Sequence, residues 1–411
     1  MVTADTARAV AGLRELARRT SDDRGAQRLA WTSTWNDARS WLREQLAEIE
    51  QATVHVDPAG NLWATLPGAS PRGIVLGGHL DSVPNGGWLD GALNVIGALE
   101  VLRALAARAQ PLTVRLVDWA DEEGARFGRS LLGSSACAGT LDPASIRDLT
   151  DANGIRLVDA LAESGVDVAR MPEASAELRD VIAYLELHIE QGPVLERLGL
   201  PLGVVLGTFG VERHRLRFRG AHAHAGSTPM DLRRDAFIAA ARSAIAFRDD
   251  ALARVDARAT TGFVKVSPGI VTAFNGTCEL SLDQRALDEV ILGEMRAAAQ
   301  RFSESISAEE GCEVDWEPLL AIEPIRFDPE LIELGDTVVE TVAGASTRLP
   351  SGALHDAAEM ARVVPTVMLF VRSIGGVSHT AEENTEDADL EIAVRALDEL
   401  TRQTIARFAR Q

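Results

Sequence analysis

The chain has 411 residues, 46% of them hydrophobic and 25% charged, and a net charge of −20, the balance of an ordinary globular protein with two or more domains. So acidic a chain excludes nucleic acid and anionic membrane surfaces as partners, and its apolar runs stop well short of the roughly 18 residues of a membrane span. Three scattered cysteines (Cys137, Cys278 and Cys312) make no CxxC pair, and MVTADTARAVAGLRELARR lacks a secretory layout, so a reducing, cytoplasmic setting is expected.

From residue 1 to about 50, apolar residues recur at three- and four-residue spacing in LRELARR and WNDARSWLREQLAEIE, predicting helices. Short β-rich runs then alternate with helical ones: ATVHVDPAGNLWATLP, GIVLGG, the helix ALNVIGALEVLRALAAR, then TVRLVDWA. That alternation predicts an α/β fold whose mixed, largely parallel sheet carries helices on both faces. The texture changes near residue 211. VERHRLRFRGAHAHAG alternates like an antiparallel strand, a helix is expected from about Asp231 to Arg248, and GFVKVSPGIVTAFNGTCELSLDQRA supplies two more strands before another helix. Residues 212–326 therefore read as an inserted α+β domain between two parts of the first domain, 1–211 and 327–411. The second part contains a helix in DPELIELGDTVVETVA, the strand PTVMLFVRS and a last helix near LEIAVRALDELTRQ.

The eight histidines carry most of the functional information. His79 follows GIVLGG, Glu122 and Glu123 follow TVRLVDWA, His188 ends VIAYLEL, and His379 follows PTVMLFVRS across a Gly-Gly loop. Ligands of open α/β sheets bind beyond the carboxyl ends of the strands, so four strands deliver metal-binding side chains to one edge. Taken singly, each residue has a plainer reading. Asp90 could be the N-cap of the helix that follows it, and Glu122 with Glu123 could be a solvated turn. Taken together they predict a pair of divalent ions, which needs a bridging carboxylate. Asp90 can bridge if the Gly86-Gly87 turn returns it to His79. Asp81 can orient the His79 ring, and one of Glu122 and Glu123 can bind metal while the other handles a proton. Two carboxylates against two divalent ions leave net positive charge, suited to a developing oxyanion.

GGHLDSVPNGGWLDGALN, WADEEGARFGRSLLGS, YLELHIEQGPVLE, AHAHAGSTPMDLRRDA, LSLDQR, SGALHDA and GGVSHTAEE resemble, in order, the motifs of the hydantoinase/carbamoylase branch of the M20 metallopeptidase superfamily. The resemblance implies a two-metal catalytic domain with an inserted lid and dimerisation domain, hence a homodimer. It implies that His79, Asp90 and His188 hold one ion and Asp90, Glu123 and His379 the other, as Zn²⁺ or else Mn²⁺, Co²⁺ or Ni²⁺, with Glu122 as the base. It further implies that His224 stabilises the oxyanion across the dimer, that Arg285 binds a substrate carboxylate, and that Gln191 lines the same pocket. A strand-face salt bridge remains the alternative for Arg285. His355, with Gly352 in the same loop, is placed at the pocket. His188, where peptidase relatives carry an acid, and the eleven-position spacing from His79 to Asp90 favour this branch.

Three positions depart from the family pattern: Thr272 replaces an asparagine, Leu354 a glycine, and Gln284 turns LDLR into LDQR. Thr272 and Leu354 suggest a less polar pocket than allantoate wants. The expected substrate is a small carboxylate with a carbamoyl or ureido group, foremost an N-carbamoyl-L-amino acid with an apolar side chain. Allantoate, ureidoglycine and β-ureidopropionate are the alternatives, and a dipeptidase or N-acyl amino acid deacylase is the further one.

Overall fold

The computed structural model describes residues 2–410. They form two compact units, one running to Leu206 and resuming at Phe327, the other spanning Gly207–Arg326. The first boundary lies ahead of position 211, which falls inside the strand Gly210–Arg219.

In the larger unit four strands run parallel side by side, in the order Leu112–Trp119, Ser70–His79, Val181–Ile189 and Thr366–Val371. Their buried runs are nearly continuous, as expected for strands covered on both faces. Antiparallel strands close both sides. Leu62–Leu66 and Thr53–Val56 continue from Leu112–Trp119, and Leu202–Thr208 lies beside Thr366–Val371. Leu202–Thr208 escaped the sequence reading because its run, LGVVLGT, is short and interrupted by glycines. Helices Thr6–Thr20, Ala92–Ala106, Pro329–Ala343 and Asp387–Phe408 pack together over one face of the sheet, while Leu132–Ala138 and Asp356–Met360 cover the other. Helix Ala92–Ala106 is buried on almost every side, which explains its apolar sequence. A small hairpin, Ser21–Asp22 with Gly25–Ala26, interrupts the expected N-terminal helical stretch.

The smaller unit is a five-stranded antiparallel sheet around Gly210–Arg219, flanked by Thr277–Ala286 and Glu313–Ile322. Helices Ala236–Leu252 and Glu289–Glu309 pack on it. The first begins later than expected because Asp235, not Asp231, caps it through the Phe237 amide, and Met230–Leu232 is a separate 3₁₀ turn. Along Gly210–Arg219, His214, Leu216 and Phe218 face the helices, while Arg213, Arg215, Arg217 and Arg219 alternate onto the other face. Glu313–Ile322 went unread because its mixed EVDWEPLLAI pattern lacks strict alternation.

Candidate metal centre

The centre forms at the carboxyl edge of the parallel strands, where two neighbours part. Pairing between Ser70–His79 and Val181–Ile189 stops at Leu76 and Leu185. Asn94 spans the gap, donating to the Gly77 carbonyl and accepting from the Leu187 amide at 2.9 Å. His79 and His188 stand at the two lips, their ring centroids 6.0 Å apart. Each ring is tied to the main chain through Nδ1, to the carbonyl of Asp81 at 3.1 Å and of Ile189 at 2.9 Å. In both, Nε2 is thereby turned towards Asp90, where on losing its proton it can offer a lone pair to a cation.

Asp81 thus orients His79 as expected, but through its carbonyl. Its carboxylate does a different job, accepting from the Glu122 and Glu123 amides at 3.3 and 3.1 Å, so it ties the two strand ends together. Asp90 is not the helix cap: Gly91 occupies that position with φ 63° and no side-chain bond. A Cβ on Gly91 would fall 2.4 Å from the His79 ring, so only glycine allows this approach.

The Asp90 carboxylate, freed from capping, faces both ways. Its Oδ1 lies 3.0 Å from His188 Nε2 and 3.7 Å from His79 Nε2, whereas its Oδ2 lies 3.2 Å from His379 Nε2. His379 Nε2 is also 3.6 Å from Glu123 Oε2. His79, Asp90 and His188 form one cluster of potential ligand atoms within 4.8 Å of one another, and Asp90, Glu123 and His379 form a second. Donor atoms about 2.1 Å from a shared tetrahedral ion stand about 3.4 Å apart, which is the spacing seen. Glu123 Oε1 is buried without a hydrogen-bond partner, a costly state that a cation would relieve. The residues present therefore fit a pair of divalent ions. Glu122 belongs to neither cluster. It is buried, with Oε2 3.7 Å from His79 Nε2.

Burial, then Asp356 and Glu123, push the Glu122 carboxyl well above its usual range. Burial and Asp90 raise Glu123 to about 8, and burial raises Asp81 to about 6. Burial lowers His79 to about 4. It also opposes protonation of His188, but Asp90 and Glu186 outweigh it and lift that ring to about 9. The Asp90 contact raises His379 to about 9 as well. For Asp90 itself, burial is outweighed by His188, His379 and His79, which hold it well below the carboxylate range.

Gln191 donates through Nε2 to Asp90 Oδ2 at 2.8 Å and to Ser378 Oγ at 3.2 Å, so it touches the centre directly. His355 is buried, its ring 4.4 Å from that of His188 and its Nε2 3.0 Å from Ser351 Oγ. Gly352 and Leu354 are exposed in the same loop. The smaller unit holds the remaining three residues. Its His224 Nδ1 accepts from the Gly226 and Ser227 amides at 3.1 and 3.2 Å, which leaves the ring proton on Nε2. The Thr272 carbonyl accepts from Ala225 at 2.8 Å, so Thr272 sits beside that motif. Arg285 donates through Nε to Asp283 at 2.8 Å. Sequence reasoning missed Asn94, Ser378 and Glu383. Asn94 joins Leu187, and Ser378 and Glu383 join Asp90, across 93, 288 and 293 positions of chain, so no spacing announces them.

The model of peptidase family M20/M25/M40 matches residues 75–403. The N-carbamoyl-L-amino acid amidohydrolase of Geobacillus stearothermophilus is 34% identical over 91% of this chain and 92% of its own. The allantoate amidohydrolase of Bacillus subtilis (strain 168) is 33% identical over 92% and 93%. Among solved structures, a hydantoinase/carbamoylase family amidase from Burkholderia multivorans superposes with a TM-score of 0.88 at 31% identity, covering 97% of this chain and 98% of that one. With matches of this length and identity, carried on the strands and loops that build the centre, the chain belongs to peptidase family M20/M25/M40 and, within it, to the hydantoinase/carbamoylase amidases.

Proposed function

We propose that this hydrolase of linear C–N amide bonds is a binuclear metal-dependent amidohydrolase acting on an N-carbamoyl-L-amino acid with an apolar side chain. The observation that carries the two-ion reading is the division of Asp90, one carboxylate oxygen towards His79 and His188 and the other towards His379. His79, Asp90 and His188 would hold one ion, and Asp90, Glu123 and His379 the other. When bound, two divalent ions polarise the scissile carbonyl and acidify water.

The residues of this chain divide the remaining work. Glu122, buried beside His79 but outside both ligand sets, takes the proton of the attacking water and returns it to the departing nitrogen. His224, with its proton on Nε2, donates to the developing oxyanion. Arg285, steadied by Asp283, pairs with the substrate carboxylate. Gln191 holds Asp90, and Gly352, His355 and Thr272 shape the pocket wall. One water is consumed, and the products are the amino acid, ammonia and carbon dioxide.

The reading includes a cytoplasmic homodimer joined through the smaller unit. Ile238, Ile245 and Leu252 support it: they recur every seven residues on helix Ala236–Leu252 and are 42, 58 and 68% exposed. Among the described residues no helix is long and apolar enough to cross a membrane. The test is an ammonia-release screen over N-carbamoyl amino acids, allantoate, ureidoglycine and β-ureidopropionate, with Zn²⁺, Mn²⁺, Co²⁺ or Ni²⁺ added back to metal-free enzyme. Faster release from allantoate would reassign the substrate, and cleavage of dipeptides without ammonia would replace the reaction.

A further inference from the structure

Glu383 is a buried carboxylate, 1% exposed, that neither ligand cluster nor the proton transfer uses. Its Oε1 accepts from the Leu89 and Asp90 amides, both at 3.0 Å, across 294 and 293 positions of chain. Its Oε2 accepts from Ser378 Oγ at 2.7 Å, and the same hydroxyl stands 3.3 Å from Asp90 Oδ2. Glu383, Ser378 and Asp90 therefore close a ring in which both the main chain and the side chain of Asp90 are held. Gly87 makes room for it, since a Cβ there would lie 2.0 Å from the Glu383 carboxyl group.

We propose that Glu383 is a positioning residue that pins Asp90 to the loop carrying His379, and so sets the affinity of the Asp90–Glu123–His379 set selectively. The inference rests on the two-ion reading above. The selectivity follows from how the other histidines are held. His79 and His188 are oriented by the carbonyls of Asp81 and Ile189, which do not involve Glu383. His379 has no such anchor: it is half-exposed, at φ 59°, and sits next to Ser378 and four residues before Glu383. Losing the Glu383 carboxylate frees the loop bearing His379 and releases the Asp90 amide. The Asp90 oxygen that faces His79 and His188 keeps its neighbours on two anchored strands. Substitutions that disturb the support of a metal ligand weaken binding by about 10- to 100-fold.

The experiment is a calorimetric titration of Zn²⁺ into metal-free wild-type protein and the variants E383A, E383Q and S378A, with metal-free melting curves alongside. Wild type should bind two ions. E383A should leave one step unchanged and weaken the other by about 30-fold, with kcat falling while KM stays within about threefold. Glutamine keeps an oxygen for the Leu89 and Asp90 amides, so E383Q should recover most of the lost affinity. S378A, which removes only the bridge to Asp90 Oδ2, should weaken the same step by about tenfold and carries the test if E383A does not fold. Equal weakening of both steps, unaltered binding in E383A and S378A, or no rescue by glutamine would overturn the proposal. A wild type that binds one ion overturns the two-ion reading and this proposal with it. Two ions retained at full affinity by the variants overturn this proposal alone.

Discussion

The main sheets of the two units treat charged side chains in opposite ways. In the smaller unit Arg213, Arg215, Arg217 and Arg219 lie along one strand, and each meets a carboxylate on a neighbouring strand: Asp283, Glu279 and Glu317, the same two again, and Asp315. Those pairs are partly exposed, mutually satisfied and screened, so each contributes little. At the edge of the larger unit's sheet, Asp81, Asp90, Glu122, Glu123 and Glu383 are buried or nearly so beside three histidines, and some polar atoms have no partner. A fold tolerates buried carboxylates gathered this closely only where something else supplies the missing charge, which marks this edge as the functional one.

The largest expected effect tests the buried side of this contrast. Glu122→Gln should lower kcat by about 10³-fold while metal content, read by elemental analysis, stays that of wild type. Near-normal turnover would remove Glu122 as the proton carrier.

Arg285 is the arginine of the paired sheet to which a substrate role is assigned. Arg285→Ala should raise KM for carboxylate substrates by about thirtyfold with a smaller change in kcat. An unchanged KM would return it to the ladder of surface ion pairs.

The pKa shifts sharpen the comparison through pH. Without ions, Glu123 at about 8 and His188 and His379 at about 9 hold protons at neutral pH. A cation must displace those protons, so its apparent affinity should rise between pH 6 and 9 and binding should release protons to the buffer. Calorimetry in buffers of different ionisation enthalpy measures both. An affinity that is flat or falls with pH would mean that these groups are not the ligands.

The smallest effect belongs to the paired sheet. Arg215→Ala and Glu317→Ala should each change unfolding stability by no more than about 0.5 kcal/mol and leave turnover alone, as measured by urea melts and initial rates. A loss of several kcal/mol would show that the ladder is structural after all.

The candidate ligand residues were legible because alternating β and α runs place strand ends predictably, and a histidine or paired acid after a β run is a visible signal. The support around them was not. Asn94 looks like one more helix residue, and Glu383 like one of several acids in AEENTEDADLE. Their meaning lies in hydrogen bonds to main-chain groups that are neighbours only in space. The same holds for Asp81, whose carboxylate turned out to serve the amides of Glu122 and Glu123.

By itself, the sequence determined the α/β texture, the inserted α+β segment, the family and the two candidate ligand sets, because hydrophobic period and motif order are local properties of the chain. Only the tertiary structure decided that Gly91 caps the helix and frees Asp90, and that each Asp90 oxygen faces a different ligand set. It also decided that a buried glutamate ties Asp90 to the loop of His379. The direction of a carboxylate depends on which distant amides and hydroxyls surround it, and no spacing along the chain encodes that.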